Sequence, residues 1–255
     1  MRHANPDGLR SLGRTGILRS ADSEGMAIRH SVAVRKESCR DDAASEPVRE
    51  PKKLLGIAAL SVLLFLGAAS REEIARLNRL MGWEVGQTIA DVGAGEGEIG
   101  IAAAAFVSPS GRVYLTELDE KKRKVLEETV KSKGLANVRV VQGAEKQTNL
   151  PDGCCDEIVL RRVYHHFTAP ADMDASMLRA LKPGGELAVI DFPPRKWLTL
   201  SDPVKGVPAN RGGHGIPQKI LIEEMTAAGF TVDKILNDWP EDSYCVLFRK
   251  PAAKK

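Results

Sequence analysis

The chain has 255 residues, 43% of them hydrophobic and 28% charged, with a net charge of +3. This is ordinary for one sizeable α/β domain with an extension at one end. A surplus that small argues against a dedicated nucleic-acid binder, so no nucleic-acid partner is expected. The four cysteines, Cys39, Cys154, Cys155 and Cys245, are no disulfide framework in a chain this long, and without a CxxC pair they make no zinc site.

Residues 1–53 mix Arg, Ser, Asp, Glu and Gly with no sustained apolar period and read as a disordered extension. Leu54 to Ala69 (LLGIAALSVLLFLGAA) is then an uncharged apolar run, preceded by Lys52 and Lys53. It is shorter than the roughly 20 residues that span a bilayer. The basic flank and the small residues Gly67 and Ala69 fit the apolar core of a secretory leader, although a leader belongs at the N-terminus. Leader, membrane anchor and buried edge helix all remain open, and with them a cytoplasmic, membrane-associated or exported location.

From Ser70 the pattern becomes regular, and residues 70–255 read as one domain. Ser70 with Glu73 three residues on is a capping box, and Ile74, Leu77 and Met81 give one helical stripe. Thr88 to Val92 reads as a strand, followed by a glycine loop and a helix from Glu98 to Phe106. Val113 to Glu117 is a second strand, Asp119 to Lys133 a charged helix ended by Gly134, and Val138 to Gln142 a third strand. Glu157 to Val163 is a fourth, Ala171 to Leu181 a helix, Lys182 to Gly185 a turn, and Glu186 to Phe192 a fifth strand. After a long loop come a helix, Pro217 to Ala228, and two strands, Thr231 to Asn237 and Ser243 to Lys250. Alternating strands and helices predict a mainly parallel sheet with helices on both faces. The last two strands, joined by a turn alone, predict an antiparallel hairpin at its edge. Cys154 and Cys155 sit at the start of the fourth strand. They read as two small side chains pointing to opposite faces, or as a thiol pair for arsenite or another soft ligand.

The glycine loop, Asp91-Val92-Gly93-Ala94-Gly95-Glu96-Gly97-Glu98-Ile99-Gly100, satisfies two patterns. Gly95-x-Gly97-x-x-Gly100, with Glu117 about 20 residues on, matches a dinucleotide fingerprint. That fingerprint normally starts where the strand ends, and counted from Gly93 its sixth position is Glu98, not glycine. The other pattern is Asp91-x-Gly93-x-Gly95-x-Gly97, which resembles motif I of class I S-adenosylmethionine-dependent methyltransferases. Two further stretches resemble that family in order. Pro151-Asp152-Gly153-Cys154-Cys155-Asp156 is similar to its "PDGSFD" turn, and Leu181-Lys182-Pro183-Gly184-Gly185 to its "LKPGG" turn. The resemblance covers about Ile74 to Pro251, and the dehydrogenase reading has no such downstream support.

The resemblance implies a Rossmann-like, seven-stranded α/β fold and S-adenosylmethionine as cofactor. It assigns Asp91 to the methionine amino group, with Gly93, Ala94, Gly95 and Gly97 letting the backbone approach. It assigns Glu117 to the ribose hydroxyls, with Leu118 beside it and Asp119 as second candidate, and Arg161 to the end of strand four. Ala144 stands where the family usually has an acid for adenine, leaving Glu145 or backbone groups for that contact. Tyr164-His165-His166 resembles a "YHH" variant in a subset of small bacterial methyltransferases, placed beside the sulfonium. His165 and Tyr164 are the catalytic candidates, and His166 reads more readily as packing. A metal held by His165, His166, His214 and Asp191 is not expected, because adjacent histidines diverge on an extended chain. The implied activity is methyl transfer to a small-molecule acceptor; a nicotinamide-dependent reductase and a non-catalytic cofactor binder are the alternatives. Because S-adenosylmethionine is made in the cytoplasm, the resemblance favours a domain on that side of the membrane, free or anchored.

Overall fold

The computed structural model describes residues 69–195, 205–241 and 243–252. The expected disorder of 1–53 and nearly all of the apolar run 54–69 lie outside these residues. Among the described residues no helix is long and apolar enough to cross a membrane.

The elements are α1 (Arg71–Met81), β1 (Thr88–Val92), α2 (Glu98–Val107), β2 (Arg112–Glu117), α3 (Glu120–Ser132), β3 (Val138–Gln142) and β4 (Cys155–Arg161). A 3₁₀ turn (Tyr164–His166), α4 (Pro170–Ala180), β5 (Leu181–Asp191), a second 3₁₀ turn (Ala209–Arg211), α5 (Gln218–Ala227), β6 (Thr231–Trp239) and β7 (Ser243–Arg249) follow. The strands form one seven-stranded sheet in the order β3-β2-β1-β4-β5-β7-β6. Strands β1 to β5 pair in parallel, and β7 runs antiparallel to both β5 and β6. The chain leaves β1 toward β2 on one side and reaches β4 on the other. The gap beyond the carboxyl ends of β1 and β4 is therefore the topological switch point at which open α/β sheets take ligands.

Alternation explains the two-sided core. In β4, Ile158 and Leu160 join one apolar cluster and Val159 the other; in β7, Val246 and Phe248 oppose Cys245 and Leu247. One cluster takes Leu77 and Met81 of α1, Ile99 and Ala103 of α2 and Leu126 of α3. The opposite cluster takes Met173 and Met177 of α4 and Leu221 and Met225 of α5. Covering both faces is what a buried parallel sheet requires.

Three local readings change. Strand β4 ends at Arg161 rather than Val163, because Arg162 adopts φ +54° and the chain turns into the 3₁₀ segment. Lys182 to Gly185 bulges from the start of β5: Cys155 pairs with Leu181 but Glu157 with Glu186. At the start of α1 the Ser70 hydroxyl accepts from the Glu73 N–H at 3.0 Å, but the Glu73 carboxylate does not complete the box and is buried elsewhere.

Candidate active site: the cavity beyond β1, β2 and β4

A cavity of about 700 Å³ opens at the carboxyl ends of these strands. The glycine loop forms its floor. Gly93 and Ala94 donate their N–H groups to the Thr116 carbonyl at 3.0 and 2.9 Å, tying the end of β1 to β2, and Gly97 donates to the Ala94 carbonyl at 2.8 Å to close the turn. Gly93 has φ +72°, and a Cβ there would sit 2.4 Å from Val163, so the loop passes against the segment after β4 with no room for a side chain. Gly95 has φ +57° and nothing within 4 Å of its missing Cβ; it presents bare backbone to the cavity that it lines.

Glu117 closes β2 at the cavity wall. Its Oε2 accepts the Gly95 N–H at 3.0 Å and its Oε1 the Asp119 N–H at 3.0 Å. Backbone bonds to both oxygens hold the carboxylate rigidly in place. Asp119 caps α3, accepting from the Lys121 and Lys122 N–H groups at 2.8 and 2.9 Å, so it serves the helix and is not among the cavity residues. Asp91 lines the cavity from β1 and accepts the Gly100 N–H at 3.0 Å. Burial, with the charges of Glu98 and Glu117 adding to it, pushes its pKa up to about 7. Burial likewise raises the pKa of Glu98 beside it.

Asp91, Gly93, Ala94, Gly95, Glu117, Leu118, Ala144, Glu145 and Arg161 all line this cavity. Gly97 is not among the lining residues. It caps α2 at φ +81°, and a Cβ there would meet Leu126 at 2.6 Å, so its lack of a side chain serves helix packing. Gly100 is also outside the lining, pressed against Leu115 and Asp91. Two glycines of the dinucleotide pattern therefore face the protein interior. Arg161 lines the cavity, yet its guanidinium is engaged behind it. Nε lies 3.0 and 3.1 Å from the two Glu73 oxygens, and the Trp239 indole N–H donates to the same carboxylate at 2.9 Å.

At the far end the cavity is lined by Arg162, Val163, His166, Phe167, Thr168, Met173 and Lys205. The histidine pair does not diverge as expected, because residues 164–166 form a 3₁₀ turn rather than extended chain. The His165 and His166 rings lie 4.0 Å apart between centroids, with His214 at 4.8 and 5.7 Å. His166, read from sequence as packing, is the one that lines the cavity; its placement follows from the tight turn and carries no sequence signal. His165 sits behind it, Nδ1 at 2.7 Å from Asp191 Oδ1. Among the described residues no group of three or more His, Cys, Asp or Glu side chains is arranged to hold a metal ion. Tyr164 is a core residue: fully buried, it lies outside the cavity lining and donates its hydroxyl to Asp174 at 2.8 Å, with Glu224 at 3.0 Å. Buried Arg211 pairs with Glu224 at 2.9 Å in the same network. Burial and the two carboxylates drive the Tyr164 pKa upward, so the phenol stays protonated and is no base.

Cys154 and Cys155 form a disulfide between adjacent residues. Cys154 precedes β4, so strand alternation does not separate the pair. They lie at the amino end of β4, away from the cavity at its carboxyl end, and no soft-ligand role at this site follows.

Residues 90–189 match the model of a methyltransferase domain. That stretch, from β1 into β5, is what the chain shares with methyltransferases. It is 35% identical over 114 residues to the ubiquinone/menaquinone biosynthesis C-methyltransferase UbiE of Stutzerimonas stutzeri, covering 44% of each chain. The Ectopseudomonas mendocina protein of the same name is 33% identical over the same length and coverage. The chain thus spans under half the length of the curated relatives it matches. Among solved structures, a SAM-dependent methyltransferase from Aquifex aeolicus superposes with a TM-score of 0.60 at 23% identity, over 74% of this chain and 97% of that one. The methyltransferase domain model stops at Val189, inside β5, so Asp191, His214 and the C-terminal hairpin lie beyond it.

Proposed function

We propose that this protein transfers the methyl group of S-adenosylmethionine to a small-molecule acceptor. The observation that carries the reading is one continuous cavity, running from Asp91 and Glu117 at the strand ends to His166 and Met173. Its volume of about 700 Å³ exceeds the lower end of ligand pockets, roughly 300 Å³, and leaves room for an acceptor beside a cofactor. The residues fit the cofactor. Glu117, already held by two backbone N–H groups, has the geometry to accept both ribose hydroxyls. Asp91, a buried carboxylate at the loop, pairs with the methionine ammonium. Open space at Gly95 admits the methionine end without a clash. Leu118 and Ala144 offer apolar surface to the adenine, and Glu145 is the carboxylate nearest in sequence for its amine.

When bound, S-adenosylmethionine supplies a methyl group made electrophilic by its sulfonium. The protein aligns the acceptor with that methyl and keeps water out, and alignment alone accounts for much of such a rate. Phe167 and Met173 form the apolar part of the acceptor wall. The curated relatives are named C-methyltransferases of quinone biosynthesis, so activated aromatic carbon is the first acceptor to try. Methyl-labelled S-adenosylmethionine should label at least one member of a panel of hydroquinones, phenols and enols, with equimolar S-adenosylhomocysteine formed. Cofactor binding with no transfer across the panel would leave a binding protein without catalysis.

A further inference from the structure

Asp191 pins His165 at two points: the backbone N–H donates to Oδ2 at 3.1 Å and ring Nδ1 lies 2.7 Å from Oδ1. The Phe192 N–H also donates to Oδ1 at 2.9 Å, so this fully buried carboxylate accepts three bonds. A carboxylate taking the Nδ1 hydrogen leaves the lone pair of the imidazole on Nε2. His165 is itself buried, and among the described residues its Nε2 meets no hydrogen-bond partner; nor does the buried Nδ1 of His166. A buried polar atom left without a partner costs about 1–3 kcal/mol, and here two lie in touching rings, of which the His166 ring lines the cavity.

His214 closes the group, held by its own carbonyl, which accepts the Arg195 N–H at 3.0 Å. Its strap is fastened by the Ile216 N–H to the Phe192 carbonyl at 3.0 Å and by Arg211 to Glu224. Phe192 packs against His165 at 4.9 Å between centroids. His166 alone of the three histidines lines the cavity. The charged and titratable groups that face it are His165, His214, Asp191 and Lys122, with Arg195 beside His214. Burial, then the neighbouring imidazoles, hold the His166 pKa down to about 4, so at neutral pH it offers a lone pair and not a charge. Burial lowers that of His214 as well.

Resting on the methyl-transfer reading above, we propose that His166, backed by the Asp191–His165 pair and His214, takes the proton that the acceptor gives up, so that the acceptor is a phenol or an enol. Tertiary amines and thioethers, which have no proton to lose, make no use of this group. The step balances without a further reactant. The acceptor's electron pair forms the new bond to the methyl carbon, the carbon–sulfur bond breaks with its pair going to sulfur, and the acceptor's proton passes to an imidazole nitrogen. With the rings this close the proton belongs to the group rather than to one residue, and the Asp191 carboxylate stabilises it there.

The test is a spectroscopic titration of 4-nitrophenol, whose anion absorbs in the visible, into protein saturated with S-adenosylhomocysteine. The wild type should bind the protonated probe in preference to its anion and raise its ionisation midpoint by about one pH unit, a tenfold shift, because an uncharged imidazole accepts the phenol's hydrogen bond. His166→Phe, which keeps a ring at a half-buried position, should bind the probe with the midpoint of free solution. Asp191→Asn should lie between them. Equal midpoints in wild type and His166→Phe, or no uptake of the probe by a protein that S-adenosylhomocysteine stabilises, overturn the proposal. A protein that S-adenosylhomocysteine fails to stabilise refutes the methyl-transfer reading instead, and the titration run without it still reads the histidine group.

Discussion

The two ends of the cavity are built on different principles. At the proposed cofactor end, carboxylates are held by backbone: Glu117 by the Gly95 and Asp119 N–H groups, Asp91 by that of Gly100. Behind the proposed acceptor end, side chains are held by other side chains. Arg161 meets Glu73 across 88 residues, Tyr164 meets Glu224 across 60, and His165 meets Asp191 across 26. A cofactor common to many proteins can be met by a short reusable loop, whereas an acceptor pocket is assembled by the tertiary fold.

The sharpest way to break this contrast is at Glu73. Its pair with Arg161 is buried on both sides, with side chains 4% and 9% exposed. Glu73→Ala removes the carboxylate that the buried guanidinium and the Trp239 N–H share, and should cost about 3–5 kcal/mol of stability in denaturant titration. If the pair is scaffold for the acceptor end, the affinity for S-adenosylhomocysteine in calorimetry stays within a few-fold of wild type. A collapse of that affinity would move Arg161 into the cofactor's own contacts.

A smaller effect sharpens the cofactor end. Asp91 with a pKa of about 7 is mostly protonated at pH 5 in the protein without ligand, and a ligand ammonium favours its charged form. Below pH 7 binding must expel that proton, so affinity falls as the pH falls. The limit is about tenfold per unit between pH 7 and 5, flattening above 7. Asp91→Asn should bind more weakly and lose the slope. A wild type whose affinity is flat over that range would remove Asp91 from the ammonium contact.

The same contrast explains what was legible from residues alone. The strand–loop–helix unit, the acid closing β2 and the edge hairpin are local patterns, and they stand within a residue or two of their expected bounds. Of the ten cofactor candidates, Gly97 alone is off the cavity, because the requirement for a bare Cα there comes from Leu126 on another helix. Tyr164 was unreadable as a core residue because Asp174, Glu224 and Arg211 reach it only in the folded chain. The exchange of places between His165 and His166 turned on one feature, a single 3₁₀ turn where extended chain was expected. Glu73, expected to cap its own helix, instead neutralises Arg161, since a buried guanidinium demands a partner more strongly than an exposed helix end does.

The most direct measurement of the central claim is thermal unfolding with and without millimolar S-adenosylhomocysteine, run beside NADH and beside Gly95→Val. With dissociation constants in the micromolar range, a ligand at 100 times its Kd adds about 2.7 kcal/mol. The account predicts a clear rise in Tm with S-adenosylhomocysteine, none with NADH, and loss of the rise in Gly95→Val. Stabilisation by NADH in place of S-adenosylhomocysteine would contradict it.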